Sequence, residues 1–335
     1  MRPVAGLTSM SDHPSGDPPA RRDVADDAAG PGEIAPRSWG RLLRRAARHV
    51  ADTRLPLLSA GIAFFAVLSI APVLVTALSV YGAVNTPAQA LDQLSRVAEM
   101  LPTELQPIVA DQLTSITTAS TKVLTVRGLA GLVIALWTAT TAMMSLIDAL
   151  TLAYHETETR GFLRRSLLAV AFVFGGALLL GAVISVAGVS SRALPEAPEA
   201  LRTVAPVFVW LGLAALMSAV LAVLYRFAPD RRQARWRWTT WGAMGATALW
   251  LATSVALFAY VQRLGTYEST YGSLAGVAIS MFWLWISVLL VVAGAAVNGE
   301  AERQTTRDST VGPERPMGER GAVVADSAPP FHGES

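Results

Sequence analysis

Cysteine is absent from the 335 residues, which excludes disulfides, cysteine-ligated zinc, iron–sulfur clusters and thiol catalysis. Histidine is scarce: the four are His13, His49, His155 and His332, and no two are spaced to share a metal. Neither a His-Glu-x-x-His nor a His-x-His-x-Asp-His run occurs, so the sequence offers no ligand set for a hydrolytic metal centre. A Gly-x-x-x-x-Gly-Lys-[Ser/Thr] loop is missing too, so ATP has no P-loop to bind. Charge is low at 16% of residues, and Lys122 is the one lysine against 26 arginines. That arginine bias fits a GC-rich genome as well as any function and carries no weight by itself. From these absences the expectation is a protein that is not an enzyme and holds no cofactor or metal.

What the chain has instead is apolar length. About half the residues are hydrophobic, 52% by composition, well above the soluble norm. The cleanest run, Tyr271 to Asn298, contains no Asp, Glu, Lys, Arg, His or Pro over 28 residues. As a helix it extends about 42 Å at about 1.5 Å per residue, enough to cross a hydrocarbon core of about 30 Å. Small residues at its ends and Phe282, Trp283 and Trp285 in its middle predict close helix contact at two levels with bulky packing between.

Five more runs read the same way, at about 57–81, 128–152, 167–190, 204–225 and 239–260. The fold class expected is therefore all-α, a polytopic membrane protein built on a bundle of six spans within residues 37–302. Pro72 predicts a kink in the first span, with Ser69 or a neighbouring helix taking up the freed carbonyl. Gly175, Gly176, Gly181 and Gly188 predict close backbone approach by the third.

The flanks differ in kind. Residues 1–36 and 303–335 are rich in Pro, Gly and Asp or Ser, with no apolar periodicity, and are expected to be disordered cytoplasmic tails. No signal-peptide core precedes the first span, which is expected to stay as a membrane helix. Between Ser38 and Arg54, Trp39, Leu42, Leu43, Ala46, Ala47 and Val50 share one helical face and arginines fill the others, the pattern of an amphipathic helix on an anionic membrane surface. The long connection, residues 82–127, carries Leu91, Leu94, Ala98 and Leu101, then Leu105, Ile108, Val109, Leu113 and Ile116, at helical spacing. Two amphipathic helices on the outer end of the bundle are expected there.

Orientation follows from the basic residues. Segments on the side of the termini hold 21 of the 27, and the opposite side six. The positive-inside rule therefore puts both termini in the cytoplasm and the 82–127 connection outside.

Few residues are candidates for transport chemistry. Asp148, one turn from the end of the second span, is the one ionisable group inside a span. It reads either as an interfacial carboxylate paired with Arg160, Arg164 or Arg165, or as a substrate or proton contact. Glu300, just past the last span, reads as an interfacial cap. Ser69, Pro72, Tyr271 and Asn298 complete the substrate or coupling candidates. Arg226, Arg231, Arg232, Arg235 and Arg237, interleaved with Trp236 and Trp238, read as a topology determinant and lipid-headgroup anchor, or more sharply as a site that binds anionic lipid headgroups as cargo. Nucleic acid would need a larger folded basic surface.

The chain resembles the YihY/virulence factor BrkB family of bacterial inner-membrane proteins. The matching residues are LSAGIAFFAVLSIAPVL at 58–74, LYRFAP at 224–229, WGA at 241–243 with Leu249-Trp250, Tyr260 through Tyr271-Gly272-Ser273-Leu274, and GAAVN at 294–298. The resemblance covers about residues 40–302. It implies six spans, cytoplasmic termini and no established enzyme, with export or flipping of lipids or other amphiphiles suggested for some members. A ribonuclease label once given to some members conflicts with the missing metal ligands and is not carried over. Where many relatives read Gly-Ala-Glu-x-Asn, this chain has Ala296 in the Glu position, so this member either lacks any coupling step that carboxylate serves or uses Asp148 or Glu300 instead.

The expectation is thus a transporter-like protein that moves or flips a lipidic or amphiphilic substrate without its own ATPase, with membrane lipids as partners. The alternative is a non-transporting scaffold for envelope proteins.

Overall fold

A computed structural model describes residues 28–84, 121–193, 198–263 and 273–327. A 3₁₀ turn, Pro31–Glu33, precedes α1 (Pro36–Asp52). The spanning helices follow: α2 (Leu55–Val84), α3 (Thr121–Ala153), α4 (Phe162–Ala193), α5 (Glu199–Phe227), α6 (Trp236–Arg263) and α7 (Ser273–Glu302). A one-turn α8 (Val323–Asp326) ends the described chain. All six long helices have the length and apolar composition to cross a membrane, and this is a polytopic all-α membrane protein. Among the described residues the β-structure is a single bridge between Ala234 and Thr310. The two amphipathic helices expected in the long connection, and Tyr271, lie outside the described residues.

The helices are arranged α4–α3–α2–α7–α6–α5, with α7 also touching α3 and α1. The central position of α7 follows from its lack of charge between Ser273 and Asn298 and from its indoles. Trp283 Nε1 donates to Ser254 Oγ of α6 at 3.1 Å, and Trp285 Nε1 donates to the Pro56 carbonyl of α2 at 3.0 Å. With no water in the hydrocarbon region, each indole N–H must find a protein acceptor, which fixes the rotation of α7 between its neighbours.

In the α2–α3 pair, a Cβ on Gly131 would lie 3.3 Å from the Pro72 carbonyl and 2.7 Å from Thr76 Oγ1, so only glycine admits α3 this close. Ser69 does not take up the carbonyl freed by Pro72; its hydroxyl donates to Ala66 O at 2.7 Å. Nor do the glycines of α4 mark a crossing among the described residues. A Cβ on Gly175, Gly176, Gly181 or Gly188 would meet nothing within 4 Å, and that face is exposed. Glycine permits close approach, but a partner helix must be there to use it.

The expectation of disordered flanks is corrected for residues 28–36 and 303–327; residues 1–27 and 328–335 lie outside the described residues. Ala28 and Ile34 are buried with Leu42, Trp238 and Ala301, and Thr305 Oγ1 donates to Ala28 O at 2.7 Å. The C-terminal segment is organised by Arg320, 5% exposed, whose guanidinium donates to the carbonyls of Thr306, Arg307, Arg315 and Ala325. Asp326 accepts backbone N–H groups from Gly318, Arg320 and Gly321 at 2.8–3.0 Å. Val324 joins the main core of the bundle. A segment with too few apolar residues for its own core can thus fold by closing onto one already built.

Candidate functional site

Near the arginine-rich end of the bundle, α6 and α7 cross at Gly242 and Gly294. A Cβ on Gly294 would lie 2.9 Å from the Gly242 carbonyl oxygen and 2.8 Å from Ala246 Cβ, and one on Gly242 would run into the Gly294 oxygen. Asn298 clamps the crossing: its Oδ1 accepts the Gly242 N–H at 2.8 Å, and its Nδ2 donates to Thr239 O at 3.1 Å and to Tyr154 Oη at 3.4 Å. Tyr225 Oη donates to the Val291 carbonyl at 2.7 Å on the same crossing.

Beside it lies a lateral groove of about 510 Å³. Its walls are Trp241, Met244, Gly245, Ala248 and Leu249 of α6 and Leu290, Ala293 and Val297 of α7, and α1 closes one end with Trp39 and Leu43. None of the lining residues is charged. The rings of Trp39 and Trp241 stand 6.3 Å apart, and Leu43, Trp241, Met244 and Leu249 are each at least 44% exposed. The groove therefore opens sideways, toward the lipid that surrounds a spanning helix. α1 is held by its buried Leu42 and Ala46, so the amphipathic face read from the sequence splits: one edge packs on the bundle and the other lines the groove.

A charged network lies beyond the groove. Glu300, read as an interfacial cap, is buried at 1% exposure. It accepts from Arg45 Nε at 2.8 Å, lies 3.1 Å from His155 Nε2 and accepts from Arg303 at 3.0 Å. The His49 ring stacks on His155 with centroids 3.7 Å apart, and His49 Nε2 is 3.1 Å from Leu152 O. Burial, then the neighbouring His155, holds His49 below its ordinary pKa. His155 adopts a left-handed φ of 59°, a conformation that glycine or asparagine takes more cheaply at a helix end.

Glu302 pairs with Arg231 at 2.6 Å, with side chains 0% and 2% exposed, respectively. Ser309 Oγ donates to the same carboxylate at 2.9 Å, and the Arg231 guanidinium lies 4.9 Å from the Tyr154 ring centroid. Burial pushes the Tyr154 phenol well above its usual range.

The residues singled out in sequence do not converge. Asp148 pairs with Arg165 at 2.9 Å, with its side chain 38% exposed, and does not line the groove. Ser69 and Pro72 sit within α2, also off the groove. Asn298 touches the site through Gly242, as a clamp on the backbone. Ala296 lies in the core at 1% exposure, one turn from Glu300.

The arginine cluster is largely spent inside the protein. Arg226 donates to Ala234 O at 2.9 Å and lies over the Trp236 ring. Arg231 is in the buried pair, and Arg235 Nε donates to Thr310 O at 3.1 Å. Arg232 is an exception: its backbone N–H bonds Gly321 O at 3.0 Å, but its guanidinium Nη1 is buried without a hydrogen-bond partner among the described residues. Arg237 alone among these five arginines is exposed. The groove itself was missed in sequence, although small residues at 242, 245, 246 and 248 face 293 and 294 on the next span, with Trp241 at one end. Facing small-residue patterns flanked by an aromatic are the signal that points to such a site.

The model of the family described as virulence factor BrkB matches residues 46–318, which include both groove helices and most of the folded C-terminal segment. The ribonuclease-like protein YfkH of Bacillus subtilis is 28% identical over 176 residues, covering 50% of this chain and 63% of that protein. A UPF0761 membrane protein of Ralstonia nicotianae is 28% identical over 264 residues, covering 76% of this chain and 57% of its own. One from Paraburkholderia xenovorans is 24% identical over 264 residues, covering 77% and 59%. The chain thus spans about three fifths of the length of these relatives. No solved structure matches it.

Proposed function

This chain belongs to the virulence factor BrkB family, and on that premise we propose that it is an inner-membrane protein that takes up a lipidic or amphiphilic substrate from the bilayer and moves it without hydrolysing ATP. The observation that carries the reading is the apolar groove of about 510 Å³ open to the side of the bundle. Its volume falls in the range of about 300–1,000 Å³ typical of small-molecule sites, and its uncharged lining suits acyl chains and not ions, which need polar groups to replace their water.

Lipid tails are as apolar as the leucines they would replace, so entry of a chain into the groove gains packing but no hydrophobic transfer energy. Such a site holds its occupant weakly and exchanges it readily, as passage requires. The weight of basic residues at the end bearing α1 supports a cytoplasmic position for that end. We do not extend the ribonuclease-like name of the Bacillus relative to this chain, because the groove lining offers no nucleophile, general base or metal ligand with which to cleave a phosphodiester.

Reconstitution into liposomes with labelled phospholipids of several classes tests the reading, with and without an imposed proton gradient. Transbilayer movement above that of empty vesicles, and its loss on filling the groove with Gly245→Phe, is the expected result. Movement equal to empty vesicles for every class overturns it.

A further inference from the structure

We infer that the groove selects an anionic glycerophospholipid, seating one acyl chain between α6 and α7 and its phosphate against Arg237. The inference rests on the lipid reading above and specifies the substrate class. Because the apolar lining cannot distinguish a bound chain from the surrounding bilayer, discrimination must come from the headgroup, and so from the charges at the mouth.

Those charges are positive and unspent. Arg226, Arg231 and Arg235 donate to protein carbonyls or to Glu302, whereas Arg237 is exposed and makes no hydrogen bond or ion pair among the described residues. It stands in the first turn of α6, four residues before Trp241, and so on the same helical face as that groove residue. Arg37, Arg41, Arg44 and Arg48, at spacings of four, three and four, form an exposed stripe on α1. Arg44 adjoins the groove residue Leu43, and none of the four has an acidic partner among the described residues. The nearest carboxylate in sequence to this mouth is Glu33, and it is occupied by the Ala29 N–H at 2.7 Å. The Gly30–Gly32 turn leans on Arg237 and Trp241, leaving their outer sides open. Trp39 and Trp241, paired at the mouth, suit the headgroup level of a bilayer.

Native mass spectrometry of the purified full-length chain tests the inference, using phosphatidylglycerol and phosphatidylcholine with identical acyl chains in competition. One phosphatidylglycerol per chain is expected to be retained in preference. Arg237→Gln should lower that preference about fivefold and Arg237→Glu about thirtyfold, taking each unit of charge at the surface as worth about 1 kcal/mol. Arg164→Gln, an exposed arginine away from the groove, should leave it unchanged. Gly245→Phe and, as a second groove-filling variant, Ala248→Phe should abolish retention; both positions are exposed, so folding is spared.

No preference for the anionic lipid overturns the inference. So does an equal loss in Arg164→Gln, which marks a diffuse surface potential, or retention in both groove-filled variants, which marks ordinary boundary lipid. Competition by glycerol phosphate at the lipid's own concentration marks a free-phosphate site and overturns it as well. Scrambling by the same preparations separates the two readings: selective retention without scrambling removes transport and leaves this inference standing, and scrambling without selectivity does the reverse.

Discussion

Asn298 Oδ1 accepts the backbone N–H of Gly242 at 2.8 Å, joining the last spanning helix to the one before it where their backbones come closest. The groove lies beside this clamp: the two helices touch at Gly242 and Gly294, and Gly245 and Ala248 leave open space on the exposed side.

Alanine at Gly242 should destabilise the protein by about 1–3 kcal/mol, the cost of overpacking a tight contact, because its methyl group would meet the Gly294 carbonyl. Gly245→Ala, three residues away with open space around it, should be neutral or stabilising by up to about 1 kcal/mol through helix propensity. Thermal unfolding in detergent separates the two. Equal effects would mean that the crossing is not where we place it.

Glu302→Met should cost about 3–5 kcal/mol, because it leaves Arg231 charged, buried and without its counter-ion. The double change Arg231→Met with Glu302→Met should recover most of that loss. A double-mutant cycle on unfolding midpoints measures it, and strict additivity would show that the pair is not coupled.

Arg320→Ala should release residues 303–327 without unfolding the bundle, since it removes donors to four carbonyls of that segment. Limited trypsin digestion is the readout. Rapid cleavage at Arg307, with the membrane domain intact, is expected in the variant and slow cleavage in the parent protein; Arg315 precedes Pro316 and is not a trypsin site.

The His49 contact should weaken on acidification. Burial and the adjacent His155 lower the His49 pKa in the folded state, with a smaller push from Arg303, against the Leu152 carbonyl and Glu300, which raise it. The unfolded state therefore binds more protons as pH falls below about 6.5, and stability is lost through that window toward the depressed folded value. Melting temperature between pH 7.5 and 5.5 should fall more steeply in the parent than in His49→Gln. Parallel profiles would sink the assignment.

Asp148→Asn should change stability by no more than about 1 kcal/mol, as for exposed ion pairs in general, given its partly exposed contact with Arg165. Lipid scrambling should be unchanged. Loss of scrambling with the fold intact would restore Asp148 as a coupling residue.

Much of this was legible in the sequence. Six uninterrupted apolar runs predict six spans, because a backbone in hydrocarbon must satisfy its own hydrogen bonds and a helix does so locally. The pairing of Asp148 was legible for a similar reason: Arg165 lies just beyond the end of its helix. The folded C-terminal segment was not legible, since composition measures whether a segment can build its own core and not whether it can close onto another. Glu300 was misread as a cap because its partners, Arg45 and His155, come from two distant parts of the chain.

By itself the sequence determined the class of protein, the number of spans and the family, all of which depend on local composition and on runs of residues. Tertiary structure alone decided which glycines touch a neighbour, which arginines are spent on internal carbonyls and which one is left at the mouth of a groove. Those outcomes depend on the rotation and separation of helices, set by contacts such as Asn298 to Gly242 and Trp285 to Pro56. A side chain has the same chemistry wherever it stands; what it can bind depends on the partners that the fold has already given it.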